Sequence, residues 1–447
     1  MVRATISPKC RDLLARAGGD ETLTTIFRTK SARRSGHEIR TALDVLTIEK
    51  MATRRSEFLT VLKKRYGKGP AFRRHYRESR LEAQRGLCEA APDAINLWIC
   101  DAVAVTGTKA EILDLASRSD VESVDVNPTF DLPEVTRTPL DQTGGGLGDS
   151  AEGVAAIQAP ETWSGFGRGE DVLVGVLDSG VDATHPALQG KIAAFREFDT
   201  AGCALGTAVH DSQFHGTHVA GTICGRRHGS VNIGVAPEAR IAAALVLPEG
   251  RGSFAQIVSG MQWALLQGCD VINLSLESLG YDPIWNLPIL TTTFSGCCLV
   301  APIMKAGLDP QGGPGSDPLA FGVGAIHREE NPSAGGYQSV MNAPWFGIPV
   351  CYRKPEFSAP GLQVLSAAPG GGLALLNGAS MAAPHVAGAI ALLLSAAPAL
   401  KGDPFAVRSI FFAAAREGFG LTGKRPSKGL GRLNVLSAAE AAVSLTS

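Results

Sequence analysis

Asn377-Gly378-Ala379-Ser380-Met381-Ala382-Ala383-Pro384-His385-Val386-Ala387-Gly388 is the stretch around which the chain is organised. A turn of small residues leads into an apolar run that continues through Ile390-Ala391-Leu392-Leu393-Leu394 and reads as a buried helix. Ser380 falls where turn becomes helix. There a hydroxyl is accessible, and the first helical N–H groups have no partner within the helix. A nucleophile so placed has a positive dipole end behind it and backbone donors for an oxyanion. Pro384 is expected in the first turn, where its missing N–H costs nothing. Alone, the stretch reads equally as a capping serine before a core helix.

Two further stretches change that. Val172-Leu173-Val174-Gly175-Val176-Leu177-Asp178-Ser179-Gly180-Val181-Asp182 predicts a buried strand with an acid at its C-terminal end, before a glycine turn. His215-Gly216-Thr217-His218-Val219-Ala220-Gly221-Thr222 predicts a second turn entering a helix, with His at its mouth. Each alone is weak, since Asp after a strand is often a turn residue and His at a helix start is often a cap. Together they supply an acid, a base and a nucleophile in the chain order Asp, His, Ser.

On these motifs the chain resembles the subtilases, the subtilisin-like serine proteases, over roughly residues 151–440. Asn232-Ile233-Gly234-Val235-Ala236-Pro237 resembles the segment after the His helix, Asp270-Val271-Ile272-Asn273-Leu274-Ser275-Leu276 a strand walling the substrate cleft, and Gly431-Arg432-Leu433-Asn434-Val435 the closing segment. The resemblance implies an α/β fold, a parallel sheet with helices on both faces. It implies a serine endopeptidase in which Ser380 is the nucleophile, His215 the base and Asp178 the group that orients His215. His218, Asp182 and His185 are expected to be structural.

One family feature is missing. Where subtilases carry an Asn as side-chain oxyanion donor, an ungapped count from Gly296 reaches Lys305. Its ammonium can donate, or it can point to solvent and leave only backbone donors. Gly252-Ser253-Phe254 resembles one edge strand that pairs with an extended peptide, and Ser275-Leu276-Glu277 the other. Glu277 stands where the family usually has Gly. At the mouth of the first specificity pocket it favours Lys or Arg; otherwise it is a solvent-facing acid. No cofactor or metal is expected, because Gly225-Arg226-Arg227-His228-Gly229 replaces the Asn-rich calcium loop of some relatives with poor ligands for a hard cation.

The 447 residues allow one large domain plus a module, with 45% apolar residues and a net charge of −1. No window reads as a membrane-spanning run, and the charged N-terminus does not read as a signal peptide. Nine cysteines, several inside apolar runs, read as reduced thiols of a cytoplasmic protein. Residues 1–130 predict a β-α-β-α-β order: strands at 22–28, 94–105 and 121–126, and helices within 52–89 and at 108–117. This resembles the inhibitory propeptide of subtilases, an α+β domain here with a basic helical insertion, and implies a module that binds its own catalytic domain. An unrelated α+β regulatory module is the alternative. Residues 131–150 read as a linker and 151–447 as the catalytic domain. Arg137 in the linker is a candidate cleavage point if Glu277 lines the first pocket; the 144–148 stretch is the other.

The first 90 residues hold 21 Lys and Arg against 10 Asp and Glu. Interspersed acids and few aromatics favour a solvated helix face over a nucleic-acid surface. The expected partners are thus a protein or peptide substrate and the chain's own N-terminal module, with neither membrane nor nucleic acid. Three functions compete: an autoinhibited serine endopeptidase, a protease-like protein with impaired catalysis acting as a partner-gated binding or regulatory module, and a nucleic-acid-responsive regulator.

Overall fold

Alternation of apolar residues along short strands builds a sheet that is buried on both faces. The computed structural model describes residues 4–30, 69–138, 149–276, 281–303, 313–326, 339–346, 348–417 and 433–446. Lys305, Glu277, residues 139–148 of the linker, the basic clusters within 31–68, and Gly431 and Arg432 lie outside them.

The N-terminal part comprises β1 (Thr5–Ile6), α1 (Pro8–Arg16), β2 (Thr22–Thr29), α2 (Gly69–Ala90), β3 (Ile95–Leu97), β4 (Ala102–Thr108), α3 (Lys109–Ala116) and β5 (Val121–Val126). The sheet order is β1-β5-β2-β4-β3. One face packs Phe27, Val103 and Val105 under α1 and α3 with Leu14 and Ile112. The other turns Ile26, Ala102 and Ala104 toward the larger part. α3 starts with a capping box, Thr108 and Glu111 bonding each other's backbone N–H. The single strand expected over 94–105 is broken: Asp101 adopts φ 53° after a short 3-10 turn, and its buried carboxylate accepts from Arg80 and Gln84 of α2 at 2.9 and 3.1 Å. That partnership reaches across 17 to 21 residues and outweighs local strand preference.

Two short strands follow, β6 (Thr129–Asp131) and β7 (Thr136–Thr138). The remainder contains β8 (Leu173–Asp178), β9 (Ile192–Phe198), β10 (Ala204–Leu205), α4 (His215–Cys224), β11 (Arg227–His228), β12 (Val231–Asn232), β13 (Arg240–Leu245), β14 (Arg251–Ser253), α5 (Phe254–Gln267), β15 (Val271–Leu274), α6 (Asn286–Phe294) and β16 (Cys298–Pro302). It continues with β17 (Phe321–Ile326), β18 (Ser339–Trp345), β19 (Ile348–Lys354), β20 (Phe357–Pro360), β21 (Val364–Ala368), β22 (Gly372–Asn377), α7 (Ala379–Ala396), α8 (Pro404–Glu417) and α9 (Val435–Thr446).

The central sheet runs β10-β9-β13-β8-β15-β16-β17-β20, parallel except for β10. Val174, Val176, Ile241, Ala243 and Val300 face a layer holding α4, α7, α8 and α9. Their neighbours Leu177, Ala242, Ala244, Ile272 and Leu299 face α5 and α6. This is the two-faced burial that makes parallel strands read as continuous apolar runs. The N-terminal sheet packs on the α5–α6 side. There Gln262 accepts from Ile99 N at 3.2 Å and donates to Asn96 O at 3.1 Å, and Phe72 of α2 lies 5.8 Å from Phe294 between ring centroids.

By length and composition α7 can cross a membrane, contrary to the sequence reading, but 83% of it is buried within the fold, so it serves as the core helix. Beside it lies a buried polar group. Glu356 accepts from Lys354 Nζ at 3.0 Å, from Gly322 N at 3.0 Å and from Arg408, each charge thus meeting its opposite.

Candidate active site

Asp178, His215 and Ser380 converge at the C-terminal edge of the parallel sheet, where such folds place their ligands. Asp178 ends β8. Its Oδ1 accepts from His215 Nδ1 at 2.8 Å and from Ser179 N at 2.7 Å, and its Oδ2 is 3.0 Å from the same Nδ1. His215 opens α4, and Ser380 is the second residue of α7. All three side chains are buried, and both His215 Nε2 and Ser380 Oγ lack a hydrogen-bond partner.

Two glycines allow α4 to come this close to β8. A Cβ on Gly216 would lie 2.1 Å from Gly180 O. Gly180 sits at φ +111°, where a Cβ would meet His210 O at 2.2 Å. The residues after Asp178 and His215 are glycine-rich because two backbones touch.

The sequence reading missed the clamp beneath this pair. Asp211 Oδ1 accepts from Ser179 Oγ at 2.8 Å, Ser179 Oγ accepts from Gly216 N at 3.0 Å, and Asp211 Oδ2 accepts from Thr217 N at 2.9 Å and from Thr217 Oγ1. Asp211 thereby caps α4, whose N-cap residue Phe214 offers no side-chain acceptor. An Asp four residues before the His was the available signal.

Pro384 falls in the second turn of α7, not the first. It therefore removes the bond that would end on the carbonyl of residue 380. Ser275 Oγ reaches that carbonyl instead, at 3.5 Å, and is itself held by Asn273 Nδ2 at 2.8 Å. Ser275, expected in the cleft wall, thus lies beneath the nucleophile's backbone. Leu276 beside it is fully buried. Gly252 and Ser253 lie in or at the end of β14, but Phe254 opens α5 behind the Ser253 cap.

His218 donates Nε2–H between Val364 O and Ala374 O, at 3.0 and 3.2 Å, pinning α4 to β21 and β22. Burial, reinforced by neighbouring His215, drives its pKa down to about 3. Burial likewise drives His385 down to about 4, against the opposing pull of its bond to Met381 O. Both imidazoles stay neutral. Asp182 accepts from Thr184 N and Gly370 N at 2.9 Å, and His185 Nε2 bonds Gly372 O at 2.7 Å, so these two hold a turn rather than face the cleft.

Residues 128–138 cross the site as an extended strap. On one side Phe254 N donates to Pro128 O and Leu132 N to Gly250 O, both at 2.7 Å, with Phe130 opposite Gly252 in the antiparallel β6–β14 pair. The Phe130 ring enters a pocket 4.9 Å from Trp285, whose indole is 5.5 Å from Phe254. On the other side β7 pairs antiparallel with β22, Arg137 opposite Leu376 and Thr136 opposite Asn377. Pro133 between them is buried. Val135 lies over the turn before Ser380, its Cγ1 3.2 Å from where a Cβ of Gly378 would be. Residues 132–135 link the two ladders. Arg137, the candidate cleavage point, stands in the second ladder opposite Leu376.

The Subtilase family profile matches residues 169–431. Over 256 residues the chain is 34% identical to subtilisin E of Bacillus subtilis (strain 168), covering 55% of this chain and 61% of that protein. It is 34% identical to the subtilisin of Bacillus pumilus, covering 55% and 85%. It is 32% identical to the major intracellular serine protease of Bacillus subtilis (strain 168), covering 55% and 75%.

Proposed function

The chain belongs to the subtilase family, and from that membership and the geometry of its site we propose that it is a serine endopeptidase closed by its own residues 128–138. The observation that carries the reading is the Asp178–His215 pair beside a buried, unpartnered Ser380 under that strap. In this mechanism Ser380 Oγ attacks the scissile carbonyl carbon and passes its proton to His215 Nε2. Asp178 fixes the tautomer that leaves Nε2 free and stabilises the imidazolium. The tetrahedral oxyanion meets N–H groups of the first turn of α7. His215 then protonates the leaving amine, and water repeats the sequence on the acyl-enzyme.

Autoinhibition is supported by the strap's two ladders and by the N-terminal sheet against α5 and α6. In this reading residues 1–130 are the inhibitory module, and Gly252 and Ser253 normally receive the substrate strand. Intracellular residence is supported by the intracellular relative, the odd cysteine total and the free state of the eight cysteines whose side chains are described. The impaired-catalysis reading rests on Lys305. If Lys305→Ala lowers kcat at constant KM, the ammonium is the oxyanion donor; an unchanged rate makes it a surface cation.

A fluorophosphonate probe tests the main reading. Labelling of the wild type, absent in Ser380→Ala, is expected together with cleavage of a peptide library. Failure of both in chain freed of its strap sinks the assignment. N-terminal sequencing after incubation is expected to find a new terminus within 133–136, and one at Thr138 would support cleavage after Arg137 instead.

A further inference from the structure

β22 is bonded on one edge to β21, and its other edge is covered by three residues, Thr136–Thr138. The strap's alternation presents two kinds of side chain there. Thr136 and Thr138 point one way, toward Asn377, whose Nδ2 donates to Thr136 O at 3.1 Å, to Thr136 Oγ1 at 3.2 Å and to Thr138 Oγ1 at 2.9 Å. Asn377 is itself held by Gln363 N, which donates to its Oδ1 at 2.7 Å. That bond fixes which end of the amide faces the strap. Arg137 points the other way, its Cζ 5.2 Å from the centre of the Phe214 ring. Phe214 directly precedes His215, is half-buried and packs on the core through part of its ring.

We infer that β22, Asn377 and Phe214 form a substrate subsite on the leaving-group side of Ser380, selective for an extended peptide bearing a cation flanked by hydroxyl residues. The inference rests on the endopeptidase reading above and adds a specificity to it. An open strand edge gives main-chain affinity without selectivity. Selectivity comes from the two faces of the bound strand, which meet different chemistry here. The Asn377 amide, locked by Gln363, offers N–H donors to hydroxyl or carbonyl oxygens, and the Phe214 face attracts a guanidinium or ammonium. The strap occupies the subsite because its own Thr-Arg-Thr has that pattern.

The test uses the full chain carrying Phe130→Ala, which releases the strap, together with Ser380→Ala, and a fluorescent peptide with the sequence of residues 128–138, alongside the same peptide with citrulline for arginine. Citrulline keeps the shape and removes the charge. The arginine peptide is expected to bind about two- to fivefold more tightly, the worth of a cation over an exposed aromatic face. Phe214→Leu should erase the difference between the two peptides. Valine for both threonines should weaken binding several-fold in either protein, since the Asn377 amide then faces methyl groups. Equal affinity of the arginine and citrulline peptides overturns the inference. So does binding of neither peptide at millimolar concentration, which would make the site a seat for the strap alone. The same peptides, lengthened to carry a quencher, are then offered to the Phe130→Ala chain with Ser380 intact. Selective binding without cleavage leaves the subsite standing and refutes the endopeptidase reading, whereas cleavage without selectivity does the reverse.

Discussion

Phe130→Ala should uncover Ser380. The Phe130 side chain is 5% exposed and fills the pocket made with Trp285 and Phe254, while its backbone pairs with Gly252. Truncating a buried Phe costs about 3–5 kcal/mol, and the low end applies here because water can enter a pocket at the edge of the fold. The two backbone bonds at Pro128 and Leu132 survive the substitution in the closed state and are lost on opening in variant and wild type alike, so they cancel in the comparison. A loss of about 3 kcal/mol in the closed state raises the strap's open population roughly 100-fold, at about 1.4 kcal/mol per factor of ten. The assay is the rate at which a fluorophosphonate labels Ser380 in the full chain, with a thermal melt to show that the central fold persists. Labelling about 100-fold faster than wild type, up to the rate of a strap-free site, is the expected result. A change of less than threefold in a chain that still melts cooperatively would refute the idea that Phe130 holds the strap over the nucleophile.

Asp178→Asn should lower kcat by about 10⁴ with KM little changed, because an amide no longer fixes the His215 tautomer; peptide hydrolysis at pH 7 checks this, and an equal rate excludes the triad. Acid should destabilise the fold through His218 and His385, whose folded pKa values of about 3 and 4 lie below the ordinary 6.5. The unfolded chain binds these protons first, so their contribution is complete above pH 6.5 and declines as pH falls toward 4 and then 3. At pH 5 each costs about 2 kcal/mol, read as a shift in urea midpoint that His385→Gln should roughly halve. Glu356→Ala leaves Lys354 and Arg408 buried without their carboxylate. It should cost about 3–5 kcal/mol, seen as a lowered melting temperature, and an unchanged melt would contradict the network.

The three motifs were legible because each is local. A buried strand must end, and an acid followed by glycine marks where Leu173–Asp178 does; small residues before an apolar run mark the starts of α4 and α7. The chain order of Asp178, His215 and Ser380 then identified the family, and apolar runs with helical patterns between them gave the parallel sheet. From Thr22 onward the strands and helices of the first 130 residues were legible for the same reason, down to the Thr108 start of α3, but β1 and α1 were not expected and the 94–105 strand is split.

What the sequence by itself determined, then, is which elements form and which residue types stand at their ends. The tertiary structure decided how those ends are aimed. Asp101 breaks an apolar stretch only because Arg80 and Gln84 arrive from another element. The Ser380 carbonyl that Pro384 releases in the second turn of α7 is reached by Ser275, 105 residues before Ser380. Asp211 becomes a helix cap through the turn that brings it against Ser179 and Thr217. Arg137 read as a linker residue, and folding pairs it with Leu376 of β22, a strand about 240 residues later. In most of these cases the deciding partner is distant in sequence; Asp211 meets Thr217 nearby but Ser179 32 residues back. Periodicity and capping report only the neighbours a residue has along the chain, whereas a hydrogen bond or a burial is settled by whichever group folding brings within about 3 Å.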